Sequence, residues 1–407
     1  MASFAVKILG GEQYSAFEAS KLPVGVTLPC DLYCQDKDGT RVLFSKGSVF
    51  SVFEKNTIEK NDITYLYVRP FDNSQLEQLL VAKKRSAGSF LEDQVQFQRF
   101  STHKANYFAL DKSLLLPGTE INFNLILLSM PSFIPLVMAG ESSPSAIKED
   151  ILNAPGDIVI NKSDMHLYLR YLNENKQVFD RAGIKIARET ARVSMAQVLD
   201  NPRDDERVKG SIAAAKKLAG CIADDKEAIY SLLLLKVGDM YTYTHSVNVA
   251  VLSVALGLSF GLSREALELL GIGAMLHDIG KSAIPNQILD KQGRLDQAEY
   301  VVVQGHVLAG ADILRAFDFV PPGALPAVLQ HHEKLNGRGY PHKLKDKEIA
   351  LFGRITAIAD CYDAMITPRP FRPPQSSFNA LSLITKESGN YDPTLLKLFI
   401  QILVKMK

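Results

Sequence analysis

Histidines and aspartates recur along the second half of this chain at intervals of about one helix plus one loop. In order they are His245, His277, Asp278, His306, His331, His332 and Asp360. With ordinary helix and loop lengths, each can stand on a different helix of one bundle and point to a common centre. Bundle cores are established places for dinuclear sites. Two compact pairs anchor the pattern, HDIGK at 277–281 and HHEKLNGRGYP at 331–341. A single ion seldom needs so many nitrogen donors, so the pattern points to two adjacent ions. Six of the eight histidines lie between 245 and 342, and of those six only His342 has no place in it.

Imidazole combined with carboxylate suits iron, manganese, zinc or similar divalent ions rather than calcium. An aspartate beside a histidine can bridge two ions while its neighbour binds one. Successive residues on a regular helix point about 100° apart, so His331 and His332 either serve two neighbouring ions or sit at a helix end. Two ions about 3.5–4 Å apart can clamp the oxygens of a phosphate ester. Each residue alone has a plainer reading: His245 or His306 as an ordinary polar helix residue, Asp360 or Asp363 as a buried cap or ion-pair residue. The seven together outweigh it. Lys281 either offers its charge to a phosphate or leaving oxygen, or sits solvated at a helix end. NGRGYP at 336–341 is a glycine-proline turn in which Gly337 and Gly339 let the backbone approach a ligand closely. Tyr340 there can present a hydroxyl or a ring face. Arg369 and Arg372, on the stiff run TPRPFRPP, form either an anion clamp or an exposed basic loop.

The rest of the chain sets the context. Its 407 residues predict two or three domains. A net charge of +1 gives no argument for nucleic acid or an acidic membrane surface. Cys30, Cys34, Cys221 and Cys361 are too scattered for a disulfide framework, which suits a reducing cytoplasm. Cys30 and Cys34 are expected on one face of a strand. The first residues are too short and polar for a signal peptide. No run reaches the roughly 20 apolar residues of a membrane-spanning helix. Residues 249–262 are expected to form a buried core element instead.

Residues 1–172 read as α+β, with short strands rich in β-branched and aromatic residues. Two stretches align without gaps, YLYVRPFDNSQLEQLL (65–80) and DIVINKSDMHLYLRYL (157–172), each as strand, aspartate, helix. Asp72 and Asp164 would cap the helices, and Leu80 and Leu172 would face one core. With a strand pair upstream of each, at 31–53 and 121–140, the region reads as a possible duplicated unit. His103 and His166 have no partners in the pattern. From 173 the periodicity becomes helical. A helix over 178–200 ends at NPRDD, one over 261–278 starts at Ser263, and one over 294–314 begins with Asp296 and Glu299 in capping-box spacing. The division is therefore 1–172 as a regulatory α+β region, 173–225 as a helical connector, and 226–407 as an all-α bundle.

HDIGK, HVLAGADIL, HHEKLNGRGYP and RITAIADCYDAM…RPFR, in this order, resemble the HD-GYP domains, a branch of the HD metal-dependent phosphohydrolases. The resemblance runs from about 230 to 407 and includes SAIPNQILDKQGRL (282–295) and GNYDPTLLKLFIQIL (389–403). It implies a helical fold with a dinuclear or trinuclear centre, usually iron or manganese, and hydrolysis of cyclic di-GMP to linear pGpG, often on to GMP. It implies His245, His277, Asp278, His306, His331, His332 and Asp360 as metal ligands, Asp278 and Lys281 as catalytic, and Gly339, Tyr340, Arg369, Arg372 and Lys281 as substrate contacts. Two positions depart from the family's pattern. Three-metal members carry a glutamate four residues before the first histidine; here that residue is Tyr241, so two ions are expected. The loop begins with Asn336 where aspartate is usual, which keeps the hydrogen-bonding shape without the charge. A low-turnover cyclic-dinucleotide receptor, and an HD phosphohydrolase acting on another nucleotide, are the rival readings. A homodimer or a signalling partner would use the N-terminal region.

Overall fold

The computed structural model describes residues 5–9, 12–22, 26–36, 39–50, 55, 58, 63–72, 76, 106–129, 132–140, 143–154, 156–178, 183–225, 241–289, 291, 293–367 and 375–404. By packing the chain divides into two units, Met1–Ser101 and Thr102–Lys407.

The first unit is built on an antiparallel sheet with strands in the spatial order Ala5–Leu9, Glu12–Glu18, Tyr65–Val68, Leu32–Asp36, Gly39–Phe44. The two-residue period of a strand decides its faces. Leu66 and Val68 enter one cluster with Phe17 and Leu32, while Tyr67 turns to the other face with Tyr14, Ala16 and Tyr33. Cys34 lies on a strand and Cys30 just before one, both buried as free thiols.

The sheet of the second unit repeats that plan. Its strands lie in the order Tyr107–Ala109, Asp157–Asn161, Leu125–Ser129, Ser132–Val137. This matches Glu12–Glu18, Tyr65–Val68, Leu32–Asp36, Gly39–Phe44 one for one. A two-residue strand pair accompanies each sheet, Val26–Thr27 with Val49–Phe50 and Glu120–Ile121 with Ser145–Ala146. A 3-10 turn follows each first strand, at Ala19–Lys21 and Lys112–Leu114. The likeness expected from one strand–helix stretch is thus matched by four strands in the same spatial order, while Ala5–Leu9 has no counterpart among the described residues. The capping detail differs. Asp164 occupies the N-cap position of helix Met165–Glu174 without a side-chain bond, and Asn161 Oδ1 accepts from the Ser163 N–H at 3.0 Å instead. Asp72 closes the turn Pro70–Asp72, and Leu172 is buried. Leu80 and His103 lie outside the described residues. His166 is a surface residue whose Nδ1 bonds the Ser163 carbonyl at 2.8 Å.

Helix Tyr241–Phe260 runs through the middle of the second unit, with helices Gly183–Asp200, Asp205–Asp224, Arg264–Met275, Leu351–Ile366 and Pro393–Val404 around it. Its window 243–260 is long and apolar enough to cross a membrane, yet 78% of that window is buried inside the protein. Apolar residues all round a helix serve a core position equally well. A single core runs from Phe108 of the sheet to Leu403 of the last helix. The change from strand to helix near 172 is therefore no packing boundary: periodicity reports local structure, and the second sheet and the helices bury their apolar faces against each other.

Two helix ends differ from expectation, and both matter for the site. The helix expected to end at 278 stops at Met275, which frees His277 and Asp278 from helical spacing. The helix expected over 294–314 is two helices, Gln297–Gln304 and His306–Arg315, divided at Gly305. Ser263 and the Asp296–Glu299 capping box begin their helices as the sequence indicates.

Candidate metal centre

The seven spaced residues meet in one place. Ligand atoms of Asp278, His306, His331 and His332 lie within 4.8 Å of one another, and so do those of His245, His277 and Asp360. His245 sits within helix 241–260 and Asp360 within helix 351–366. The others stand at helix ends: His277 and Asp278 after Met275, His306 at the first position of its helix, His331 at the C-cap of helix Leu325–Gln330 and His332 beyond it. The adjacent pairs escape the 100° separation of a regular helix because neither pair lies in one. Gly280 of HDIGK brings two of these ends together. A Cβ there would fall 2.0 Å from the His306 carbonyl oxygen and 2.4 Å from the Gly310 nitrogen, so only glycine lets the 279–283 turn touch helix 306–315.

The backbone sets which nitrogen of each ring faces inward. Nδ1–H of His277 donates to the Ala274 carbonyl at 2.7 Å, that of His306 to Val303 at 2.6 Å and that of His331 to Val328 at 2.8 Å. In each case the acceptor lies three residues back, and the Nε2 lone pair is left for the centre. His245 differs: its Nδ1–H donates to Asp363 Oδ2 at 2.7 Å, and Asn248 Nδ2 donates to Asp363 Oδ1 at 3.0 Å. Such outer partners orient metal-binding imidazoles and raise their basicity.

Asp278 lies between the two groups. Its Oδ1 is 3.3 Å from His306 Nε2 and 3.9 Å from His331 Nε2; its Oδ2 is 3.3 Å from His277 Nε2 and 3.8 Å from His245 Nε2. Asp360 Oδ1 is 3.2 Å from His245 Nε2, and its Oδ2 is 4.0 Å from His332 Nδ1. Burial opposes the charge on both aspartates, but His277 and Lys281 hold Asp278, and His245 and His332 hold Asp360, well below the usual carboxylate range. Burial and the neighbouring rings push His331 well down, and burial lowers His332 to about 3 against the pull of Asp360. His245 goes the other way. Burial lowers it, yet Asp360 and Asp363 raise it to about 9.

Ionised carboxylates facing neutral imidazole lone pairs are the form in which such groups bind a metal. His277 Nε2 and Asp278 Oδ1 are buried without a hydrogen-bond partner, a costly state that a cation relieves. Asp278 Oδ1 gains nothing from His306 Nε2, whose ring proton is on Nδ1. The donor set therefore fits divalent metal ions.

The loop beside this centre is fastened to it. The Tyr340 ring stacks on His332 with centroids 4.6 Å apart, and its N–H donates to the His332 carbonyl at 3.3 Å. A Cβ on Gly339 would meet the Glu333 Cα at 2.5 Å, the Lys334 nitrogen at 2.5 Å and the His332 oxygen at 2.6 Å. Asn336 Oδ1 accepts from the Arg338 N–H at 2.9 Å, so asparagine makes the turn aspartate would make, and its Nδ2 also donates to Asn390. Lys281 Nζ pairs with Asp278 Oδ2. Arg369 and Arg372, and the Tyr241 side chain, lie outside what the structure describes. Sequence reasoning gave no role to Glu333, which is buried and accepts from the His342 N–H at 2.7 Å and the Leu344 N–H at 3.0 Å, clamping the far side of the loop. Its place directly after the histidine pair was the available signal. Asp363, expected as a buried cap or ion-pair residue, is buried and pairs with His245, and its spacing of three from Asp360 sets it on the same helix face.

Residues 227–395 match the family model described as HD domain. This part of the chain is similar to HD domains and carries the Gly339–Tyr340–Pro341 loop. The chain is 27% identical over 321 residues to a cyclic di-GMP phosphodiesterase of Pseudomonas aeruginosa, covering 78% of this chain and 69% of that one. It is 34% identical over 179 residues to 3'3'-cGAMP-specific phosphodiesterase 2 of Vibrio cholerae, covering 43% of this chain and 34% of the relative. The fold is that of an HDGYP protein from Bdellovibrio bacteriovorus, with a TM-score of 0.57 and 21% identity over 73% of this chain and 99% of that one. The clustered histidines and aspartates of this stretch suit divalent metal ions.

Proposed function

We propose that this protein hydrolyses cyclic di-GMP to linear pGpG, GMP or both, at a dinuclear centre of iron or manganese. The carrying observation is Asp278, whose two oxygens face two separate sets of imidazole nitrogens. His245, His277 and Asp360 form one ligand set, and His306, His331 and His332 the other, with Asp278 shared. Divalent ions held there supply Lewis-acid stabilisation of charge on the phosphoryl oxygens. Lys281, paired with Asp278, holds a positive charge at the edge of the site and helps the leaving oxygen depart. Tyr340 and Gly339 form the wall over His332 against which the dinucleotide is held. Arg369 and Arg372 of the TPRPFRPP run take the phosphates. Residues 1–172 regulate this reaction in the cytoplasm, alone or through a dimer or partner, and 173–225 connect them to the catalytic region 226–407.

Replacing His277 and Asp278 together with alanine tests the assignment. Metal content and cyclic di-GMP turnover should both be lost, and undiminished turnover defeats it. The Vibrio relative specific for 3'3'-cGAMP favours one second reading, in which the same centre cleaves that dinucleotide. Assaying the metal-loaded protein on both substrates separates them. Tight binding without product would instead indicate a receptor.

A further inference from the structure

The buried face between the second sheet and the metal centre carries charges that the hydrolysis itself does not use. Arg188, Glu189 and Arg192 of helix 183–200 are all buried, Arg192 with no exposed surface. Apolar residues would pack such a face at less cost, since removing charges from water is expensive even when they are paired. What they touch is specific. Glu189 Oε1 accepts from the Asp111 N–H at 3.0 Å and from the Tyr168 hydroxyl at 3.1 Å, and its Oε2 pairs with Arg192 at 2.5 Å. Arg192 also donates to the Ala109 carbonyl at 3.0 Å and, through Nε, to Thr244 Oγ1 at 3.3 Å. One turn before it, Arg188 donates to Asn248 Oδ1 at 3.0 Å. Asn248 in turn donates to Asp363, which accepts from His245.

The two arginines therefore grip helix 241–260 at Thr244 and Asn248, on either side of His245. Their own helix is held through Glu189 to the strand and turn at 107–111. Phe108 of that strand also stacks on Tyr243, with centroids 5.5 Å apart. We propose that Arg188 and Asn248 are positioning residues for His245, and that Arg192 and Glu189 tie this positioning to the 107–172 sheet region, so that a displacement of that region is felt at the metal centre. This rests on the reading of His245 as a metal ligand. The links are hydrogen bonds between buried or half-buried groups, so a shift at one end moves the next donor or leaves it unpaired.

The test uses the full chain in four variants: Asn248→Asp, Arg188→Met, Arg188→Lys and Glu189→Gln. Each is measured for manganese(II) affinity by calorimetry and, after cobalt(II) substitution, for its visible d–d absorption, with thermal melting as the fold control. Asn248→Asp keeps the shape and the acceptor for Arg188 but cannot donate to Asp363. It should weaken manganese binding by roughly 10-fold or more, as loss of outer partners does, and shift the cobalt band. Arg188→Met should do the same, with partial recovery in Arg188→Lys. Glu189→Gln, which touches no ligand, should shift the cobalt band in the same direction by less. Wild-type affinity and an unchanged spectrum in Asn248→Asp overturn the positioning role, even if Arg188→Met fails to fold. An unchanged spectrum in Glu189→Gln overturns the link to the sheet. His245→Ala keeps the two readings apart. If it binds manganese like wild type, the ligand assignment has failed; if it binds poorly while Asn248→Asp is normal, only the relay has.

Discussion

The Nε2 atoms of His306 and His331 stand 3.3 Å apart, and both rings donate their Nδ1 hydrogens to backbone carbonyls. Two lone pairs therefore face each other inside the protein. A cation turns this repulsion into coordination, so the metal should stabilise the fold. An ion present at a hundred times its dissociation constant adds about 2.7 kcal/mol. Chelation should lower the melting temperature by about 5 °C or more, and manganese should restore it. Superimposable melts with and without chelator would contradict the two-ligand arrangement.

Asp278→Asn retains the shape of the shared carboxylate and removes its charge. One oxygen becomes an amide nitrogen, which cannot ligate. Metal content per chain should fall, and turnover should drop by about two orders of magnitude, the equivalent of roughly 3 kcal/mol. Metal analysis and a turnover assay on one sample check both.

Gly339→Ala places a Cβ against three backbone atoms at 2.5–2.6 Å, none of which is the tip of a flexible side chain. The loop must move and carry Tyr340 off His332. The expected loss of stability is about 1–3 kcal/mol, with impaired turnover. Thermal melting and kinetics of the variant test it; wild-type values in both would show that the loop yields freely.

His245 is raised to about 9 in the metal-free site, while ligation needs its Nε2 deprotonated. Metal uptake near neutral pH should therefore release a proton, and apparent affinity should rise with pH until about 9. Without metal the sign reverses. The bonds of protonated His245 stabilise the fold fully below its ordinary value near 6.5, and that contribution is lost as pH rises through about 9. Calorimetry in two buffers of different ionisation enthalpy measures the proton release.

Asn336→Asp keeps the acceptor for Arg338 and loses only the donor to Asn390, at an exposed position. The effect on stability should stay within about 1 kcal/mol, with metal content unchanged. A large loss of metal would mean the loop supports the centre more directly than its bonds indicate.

Much of the centre is written in local sequence. His277–Asp278 and His331–His332 are adjacent pairs, and the spacing of His245, His306 and Asp360 already separates them onto different helices. The shared strand order of the two sheets could be suspected from one strand–helix stretch because strand period and turn residues are local signals. Other features are not local. That Asp278 turns one oxygen to each ligand group follows from a helix ending at Met275 and from Gly280 lying against His306, and neither is a matter of spacing. Glu333, Asp363, Asn248 and Arg188 are ordinary polar residues in the sequence. Their roles come from partners as far as 118 residues away, brought within bonding distance only when the sheet and helices share one core. Residue type and period determined which chemistry was available and which segments are strand or helix. Burial and long-range packing decided where each lone pair points, which charges are held ionised, and how the sheet is joined to the metal centre, because those depend on the neighbours that folding supplies.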